Sequence, residues 1–194
     1  MLRGATTINA RLSPRTGLVD VHTHAIDENL PDLRAACPHD LWPSVEHTGE
    51  TEAHLLFGGQ HHRRIDHRCW SPEARLADMD RQGVPVQVLS PIPVTFCYWA
   101  SAAGAAELAS SQNDFFARIT HQYPTRFAAL GAVALQDPDR SVDEMRRCMR
   151  DVRPSHNRPR HRRWAFQPDI PGVGRAFATD RPPTTAAAAA SGRP

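Results

Sequence analysis

Two histidines one residue apart, His22 and His24, close the run GLVDVHTH at residues 17–24. Side chains at i and i+2 of a strand share a face, so the two imidazoles would converge at the strand's C-terminal end. In parallel α/β barrels that end opens on the active site. Neutral imidazole is a common ligand for zinc and similar ions. A bare HxH also suits an ordinary loop; here it ends an apolar run and follows Asp20, which favours a pair of metal ligands. The four cysteines, Cys37, Cys69, Cys97 and Cys148, lie far apart with no CxxC pair. They suggest neither a zinc ribbon nor a disulfide framework, and the chain reads as a reduced, cytoplasmic protein.

The elements that must position the histidines follow a regular grammar. GLVDVHTH reads as a short buried strand, with Leu18, Val19 and Val21 as its apolar residues. Residues 25–70 read as an irregular insert rich in Pro, His and Gly. Within it AHLLF and RRIDHRCW flank GGQHH, a hairpin candidate with Gly58-Gly59 near its turn. SPEARLADMDRQGV reads as a helix, with Ser71 as N-cap, Pro72 at the first helical position, Leu76 and Met79 as the apolar stripe, and Gly83 as the stop. PVQVLS is a second strand, and PIPVTFCYWA is the loop leaving it. Residues 101–122 form a long helix with Leu108, Phe115, Phe116 and Ile119 toward a core. RFAALGAVALQ is a third strand, and DPDRSVDEMRRCMRDV a third helix opened by Asp137 and Pro138. Strands alternating with helices of this length predict a parallel sheet in an α/β fold.

Charge is unevenly spread along the 194 residues. The net +2 combines +6 over residues 153–194 with −4 over residues 1–152, and every basic residue is Arg. RPSHNRPRHRR is a segment of the kind that contacts phosphate, but it comes with no nucleic-acid-binding fold, so a nucleic acid is not the expected partner. No apolar run approaches the roughly 20 residues that a bilayer span requires. Residues 1–17 are expected to be a disordered lead-in. The tail, with seven Pro in 42 residues and a closing Ala run, lacks helical or strand periodicity and is expected to be disordered.

VDVHTH resembles the opening metal motif of the amidohydrolase superfamily. CWSPEARLADMDRQGVPVQVLSPIPVTFCYWA and NDFFARITHQYPTRFAALGAVALQDPDRSVDEMRRCM are similar to the amidohydrolase-related decarboxylases, the family typified by aminocarboxymuconate-semialdehyde decarboxylase. The resemblance covers about residues 18–152. It implies the N-terminal portion, about three βα units, of a metal-dependent (β/α)8 TIM barrel with a small insert after strand 1. It further implies a single Zn2+ with His22 and His24 among its ligands, and a small-molecule carboxylate substrate, 2-amino-3-carboxymuconate 6-semialdehyde or a similar unsaturated acid. The expected reaction is non-oxidative decarboxylation, in which a water activated by the metal adds to the substrate. Arg63, seven residues before Trp70, falls where the family places an arginine that binds a substrate carboxylate, although its neighbour Arg64 leaves the choice open. Phe96, Tyr98 and Trp99 would wall the pocket mouth or belong to the core. A homodimer fits the family. The other readings are a metal-dependent hydrolase of the same superfamily and a non-catalytic remnant.

The family takes its third metal histidine, catalytic histidine and metal-binding aspartate from later strands. After Val152 the sequence turns instead to the Arg/Pro/Ala-rich tail, as a shifted reading frame in GC-rich DNA would produce. No catalytic residue is therefore assigned in this chain. His156 and His161 receive no role, and the expectation is an inactive fragment.

Overall fold

A computed structural model describes residues 17–38, 40–151 and 164–165. Two sheets divide the work. A parallel sheet is built from β1 (Val19–Ala25), β5 (Val86–Pro91), β6 (Phe127–Leu130) and the two-residue β7 (Trp164–Ala165), in that spatial order. An antiparallel sheet is built from β2 (Pro43–His47), β3 (Glu52–Phe57) and β4 (Gln60–Asp66). Helices α1 (Pro72–Gln82), α2 (Ala102–Gln122) and α3 (Pro138–Asp151) follow β4, β5 and β6.

The α/β alternation expected from the sequence is present, and local chemistry explains its boundaries. Ser71 Oγ accepts from the Ala74 N–H at the start of α1, with Pro72 in the first turn. Gly83 ends the helix at φ 70°, a left-handed conformation that costs glycine little. The hairpin between β3 and β4 turns on Gly58 and Gly59, at φ 58° and 77°. A two-residue turn with both φ positive matches the twist of the flanking strands.

The core lies between the parallel sheet and its helices. Leu89, Phe127 and Ala129 from the strands meet Met79 of α1, Phe115, Phe116 and Ile119 of α2, and Met145 and Cys148 of α3. A second cluster, Ile26, Ala53, Leu55, Ile65 and Trp70, seats the antiparallel sheet against the exit of β1. The insert is therefore a packed layer beside the strand that carries the two histidines.

Four expectations need correction. Leu18, Val19 and Val21 are not buried: they are 38%, 45% and 67% exposed. β1 is an edge strand that pairs only with β5, so these side chains have no second layer over them among the described residues. Residues 25–70 are more ordered than their composition suggests, because the hairpin gains a third strand, β2, whose residues show no apolar alternation. The third strand of the parallel sheet stops at Leu130. Beyond it, buried Asn113 of α2 supplies the pairing that a longer strand would: its Nδ2 donates to the Ala132 carbonyl (2.8 Å) and its Oδ1 accepts from the Ala132 N–H (2.9 Å). Finally, a strand does follow Val152: the backbone of Trp164–Ala165 pairs in parallel with Ala129 and Leu130. The expected disorder of residues 1–16 and of the remaining tail falls outside the described residues, as do His156 and His161.

Candidate metal centre

β1 brings His22 and His24 together as the i, i+2 rule requires. Their ring centroids are 5.3 Å apart and nearly perpendicular. The strand is not regular there: the register against β5 slips between Asp20 and Thr23, placing one extra residue in β1 at Val21 and His22. Such a bulge twists a strand and re-aims its side chains. Thr23 and Ala25 turn into the protein, His22 is exposed and His24 is half-buried.

The hydrogen bonds around His24 settle its tautomer. Nδ1 lies 3.0 Å from the Pro91 carbonyl and 2.9 Å from Ser90 Oγ. A carbonyl can only accept, and the Ser90 hydroxyl already donates to the Thr23 carbonyl (2.9 Å). Nδ1 is therefore the protonated nitrogen, and Nε2 carries the free lone pair. Metal-binding histidines are held in this way, with the second nitrogen donating to a carbonyl. Among the described residues the His22 ring makes a ring contact with His24 and no side-chain hydrogen bond or ion pair, so its nitrogens are open as well. The donor set thus fits two corners of a metal site. Among the described residues no cluster of three or more His, Cys, Asp or Glu could hold an ion, so the remaining corners have no protein donor there.

His24 opens into a cavity of about 530 Å³ whose other walls include Glu52, Arg63, Arg64 and Asp66 of the insert, Cys69, and Ile92 with Pro93. The two candidate arginines differ sharply. Arg64 is ion-paired with Glu52, whereas Arg63 makes no ion pair among the described residues. Asp66 is paired with Arg68 at 2.6 Å; hydrogen bonding from that guanidinium holds the Asp66 carboxyl at about 2. Each acid on the wall thus has its own arginine, and Arg63 supplies the unneutralised positive charge. Burial pushes the Cys69 thiol upward, so it stands in the wall as a neutral group.

The three aromatics lie elsewhere. Phe96 and Tyr98 stack on each other at 5.4 Å, and Trp99 rests edge-on against Phe57 of β3 at 5.7 Å. Tyr98 and Trp99 are exposed, so they are not core, and this loop contributes Ile92 and Pro93 to the cavity instead.

Sequence reading alone passed over Ser90 and Pro91, which hold His24, and Arg75, which donates to the His24 carbonyl from α1 at 2.7 Å. Ser90 and Pro91 face the pair only through the β1–β5 register, and Arg75 reads in a helix as one more surface charge.

Comparison with known proteins places this geometry in context. The chain is 36% identical over 134 residues to the 2-amino-3-carboxymuconate-6-semialdehyde decarboxylase of Dictyostelium discoideum, covering 69% of this chain and 37% of that protein. It is 30% identical over 137 residues to the gamma-resorcylate decarboxylase of Rhizobium sp., covering 70% of this chain and 36% of that one. The chain therefore spans a little over a third of the length of these curated relatives. Among solved structures, the dihydroxybenzoic acid decarboxylase of Polaromonas sp., determined with bound manganese, aligns over 68% of this chain and 34% of its own, with 22% identity and a TM-score of 0.44. The amidohydrolase family model matches residues 19–188, past residue 152 where the resemblance read from the sequence stops. On that match, which takes in the histidine pair, the cavity arginines and all three helices, this chain belongs to the amidohydrolase family.

Proposed function

We propose that this chain contributes the metal-binding and carboxylate-binding wall of a metal-dependent carboxy-lyase. The substrate would be 2-amino-3-carboxymuconate 6-semialdehyde or a similar unsaturated or aromatic carboxylate. The observation that carries the reading is that one cavity holds both His24, with its Nε2 lone pair free, and Arg63, with no competing acid. His22 and His24 would hold the ion, which we take to be Zn2+ from the imidazole donors. When bound, a divalent cation supplies Lewis acidity and makes water a usable nucleophile near neutral pH.

The chain's own residues do the rest of what can be derived. Arg63 presents a planar fork of donors that matches a carboxylate in two hydrogen bonds. The Pro91 carbonyl accepts from Nδ1–H of the neutral His24 ring, which leaves the Nε2 lone pair for an ion. Ile65, Ile92 and Pro93 give the cavity an apolar side opposite its charged groups. Small molecules are the only partners this reading needs. A reduced, cytoplasmic setting belongs to it and accords with four free cysteines. No helix among the described residues is long and apolar enough to cross a membrane.

The test is binding of 2,6-dihydroxybenzoate to the zinc-loaded chain, followed by calorimetry, for the native protein, Arg63→Met and Arg64→Met. A charge-assisted hydrogen bond contributes about 1.5–3 kcal/mol, so Arg63→Met should weaken binding by a factor of at least about ten. Arg64→Met removes a guanidinium already paired with Glu52 and should weaken binding less than Arg63→Met does. Equal binding by native and Arg63→Met protein refutes the assignment.

A further inference from the structure

We infer that Arg75 is a positioning residue for the histidine pair: from helix α1 its guanidinium ties together the two sides of the bulge in β1. This inference rests on the reading of His22 and His24 as metal ligands. The β1–β5 ladder runs in register through Asp20↔Gln87 and resumes at Thr23↔Leu89, so Val21 and His22 fall in the gap. A strand interrupted at His22, two residues before His24, needs another means of fixing the pair, since an open ladder leaves the backbone free to shift.

The half-buried Arg75 spans that gap. Its Nη2 donates to the His24 carbonyl at 2.7 Å, on the far side of the bulge, and to the Arg68 carbonyl at 2.6 Å. Its Nη1 donates to Gln87 Oε1 at 3.3 Å, on the near side. Gln87 Nε2 donates onward to Asp20 Oδ2 at 3.2 Å, and Asp20 Oδ1 accepts the His22 backbone N–H, also at 3.2 Å. One cation therefore holds the backbone of both histidines, His24 directly and His22 through Gln87 and Asp20. The arrangement also accounts for Asp20 two residues before the pair: its carboxylate links the last regular rung of the ladder to His22 inside the gap.

Arginine suits this place better than lysine. Its separate nitrogens reach Gln87 and the two carbonyls at once, whereas a single ammonium acts as a point donor. Ser90 and Pro91 can fix the His24 ring only if the His24 backbone stays level with β5, and the Arg75–His24 hydrogen bond reinforces the ladder where it resumes after the bulge.

The test uses the whole chain with Arg75→Lys, Arg75→Met and Gln87→Leu. Leu76→Ala is the control, weakening the same helix's packing without touching the network. Two quantities are read: imidazole nitrogen resonances in the metal-free protein, and affinity for Zn2+ alone. In the native chain His24 should show the Nδ1–H tautomer. In Arg75→Met and Arg75→Lys it should become a tautomer mixture, and zinc should bind about 10–100-fold more weakly, the range for loss of an outer partner of a ligand. Gln87→Leu should disturb His22 more than His24 and weaken zinc in the same sense. Leu76→Ala should lower thermal stability and leave both readouts unmoved. Native resonances and native zinc affinity in a folded Arg75 variant overturn the inference. If neither Arg75 variant folds, Gln87→Leu decides by the same two readouts. If zinc binds no form of the protein, the metal reading fails, and the imidazole spectra still decide whether Arg75 positions the pair.

Discussion

Replacing Asn113 with Ala should destabilise this chain more than any surface substitution. Asn113 is buried, and its amide closes a two-way exchange with the backbone of Ala132, itself buried. Its Nδ2 also donates to Glu144 at 2.7 Å. Truncation would leave a buried N–H and a buried carbonyl of Ala132 without partners, at about 1–3 kcal/mol each. Glu144 keeps its hydrogen bonds from Arg147 and adds less. The two orphaned groups are neighbours, so their costs overlap, and the expected loss is about 3 kcal/mol. That is a factor of more than about a hundred in the unfolding equilibrium. Urea denaturation followed by circular dichroism measures it directly. Asn113→Asp sharpens the case. The introduced carboxylate still accepts from the Ala132 N–H but faces the Ala132 carbonyl and Glu144, so at pH 7 it should be at least as damaging as Ala. Near pH 4 it regains a proton to donate, and the deficit should narrow. A loss under about 1 kcal/mol for Asn113→Ala would refute the reasoning that this side chain substitutes for a strand ladder.

Three smaller predictions accompany it. Gly83→Ala should cost about 1 kcal/mol in the same assay, because a Cβ is disfavoured at φ 70°. Burial pushes the Cys97 thiol up to about 12 and raises that of Cys148 as well, so at pH 8 a chromogenic disulfide should label neither until denaturant is added. Asp66 is held at about 2, below its ordinary 3.8, by the Arg68 hydrogen bond; its stabilising contribution is present above pH 4 and lost as pH falls from there toward 2. Because that pair is well exposed, the effect should be small, shrink in high salt, and vanish in Asp66→Asn when urea midpoints are compared across that window.

The parts legible in the sequence were those with local physical causes. Ser71, Pro72 and Gly83 delimit α1 by capping and backbone freedom alone, and Gly58-Gly59 marks a hairpin through its two positive φ angles. The histidine pair was legible because a two-residue spacing decides which face a strand side chain takes. What depended on distant residues was not legible. The bulge at Val21 and His22 exists only relative to β5, and the pairing beyond the end of β6 depends on Asn113, 14 residues upstream of its first residue in another element. β2 has no periodicity of its own and forms because β3 offers it an edge. Arg63 and Arg64 are indistinguishable in a run of charges; Glu52, on the neighbouring strand β3, separates them by pairing with Arg64. The exposed Leu18, Val19 and Val21 look like core residues in sequence because apolarity reports a preference for burial, and whether a layer covers them depends on what packs on the edge strand.

The proposed carboxy-lyase site requires that His22 and His24 bind a metal ion as a pair. The most direct test is calorimetric titration of the whole chain with Zn2+, comparing the native protein with His22→Ala and His24→Ala. The prediction is about one weakly held ion per native chain, since two imidazoles supply half of a tetrahedral set, and no such binding after either substitution. Zinc taken up equally by all three proteins would place the ion elsewhere and contradict the central claim.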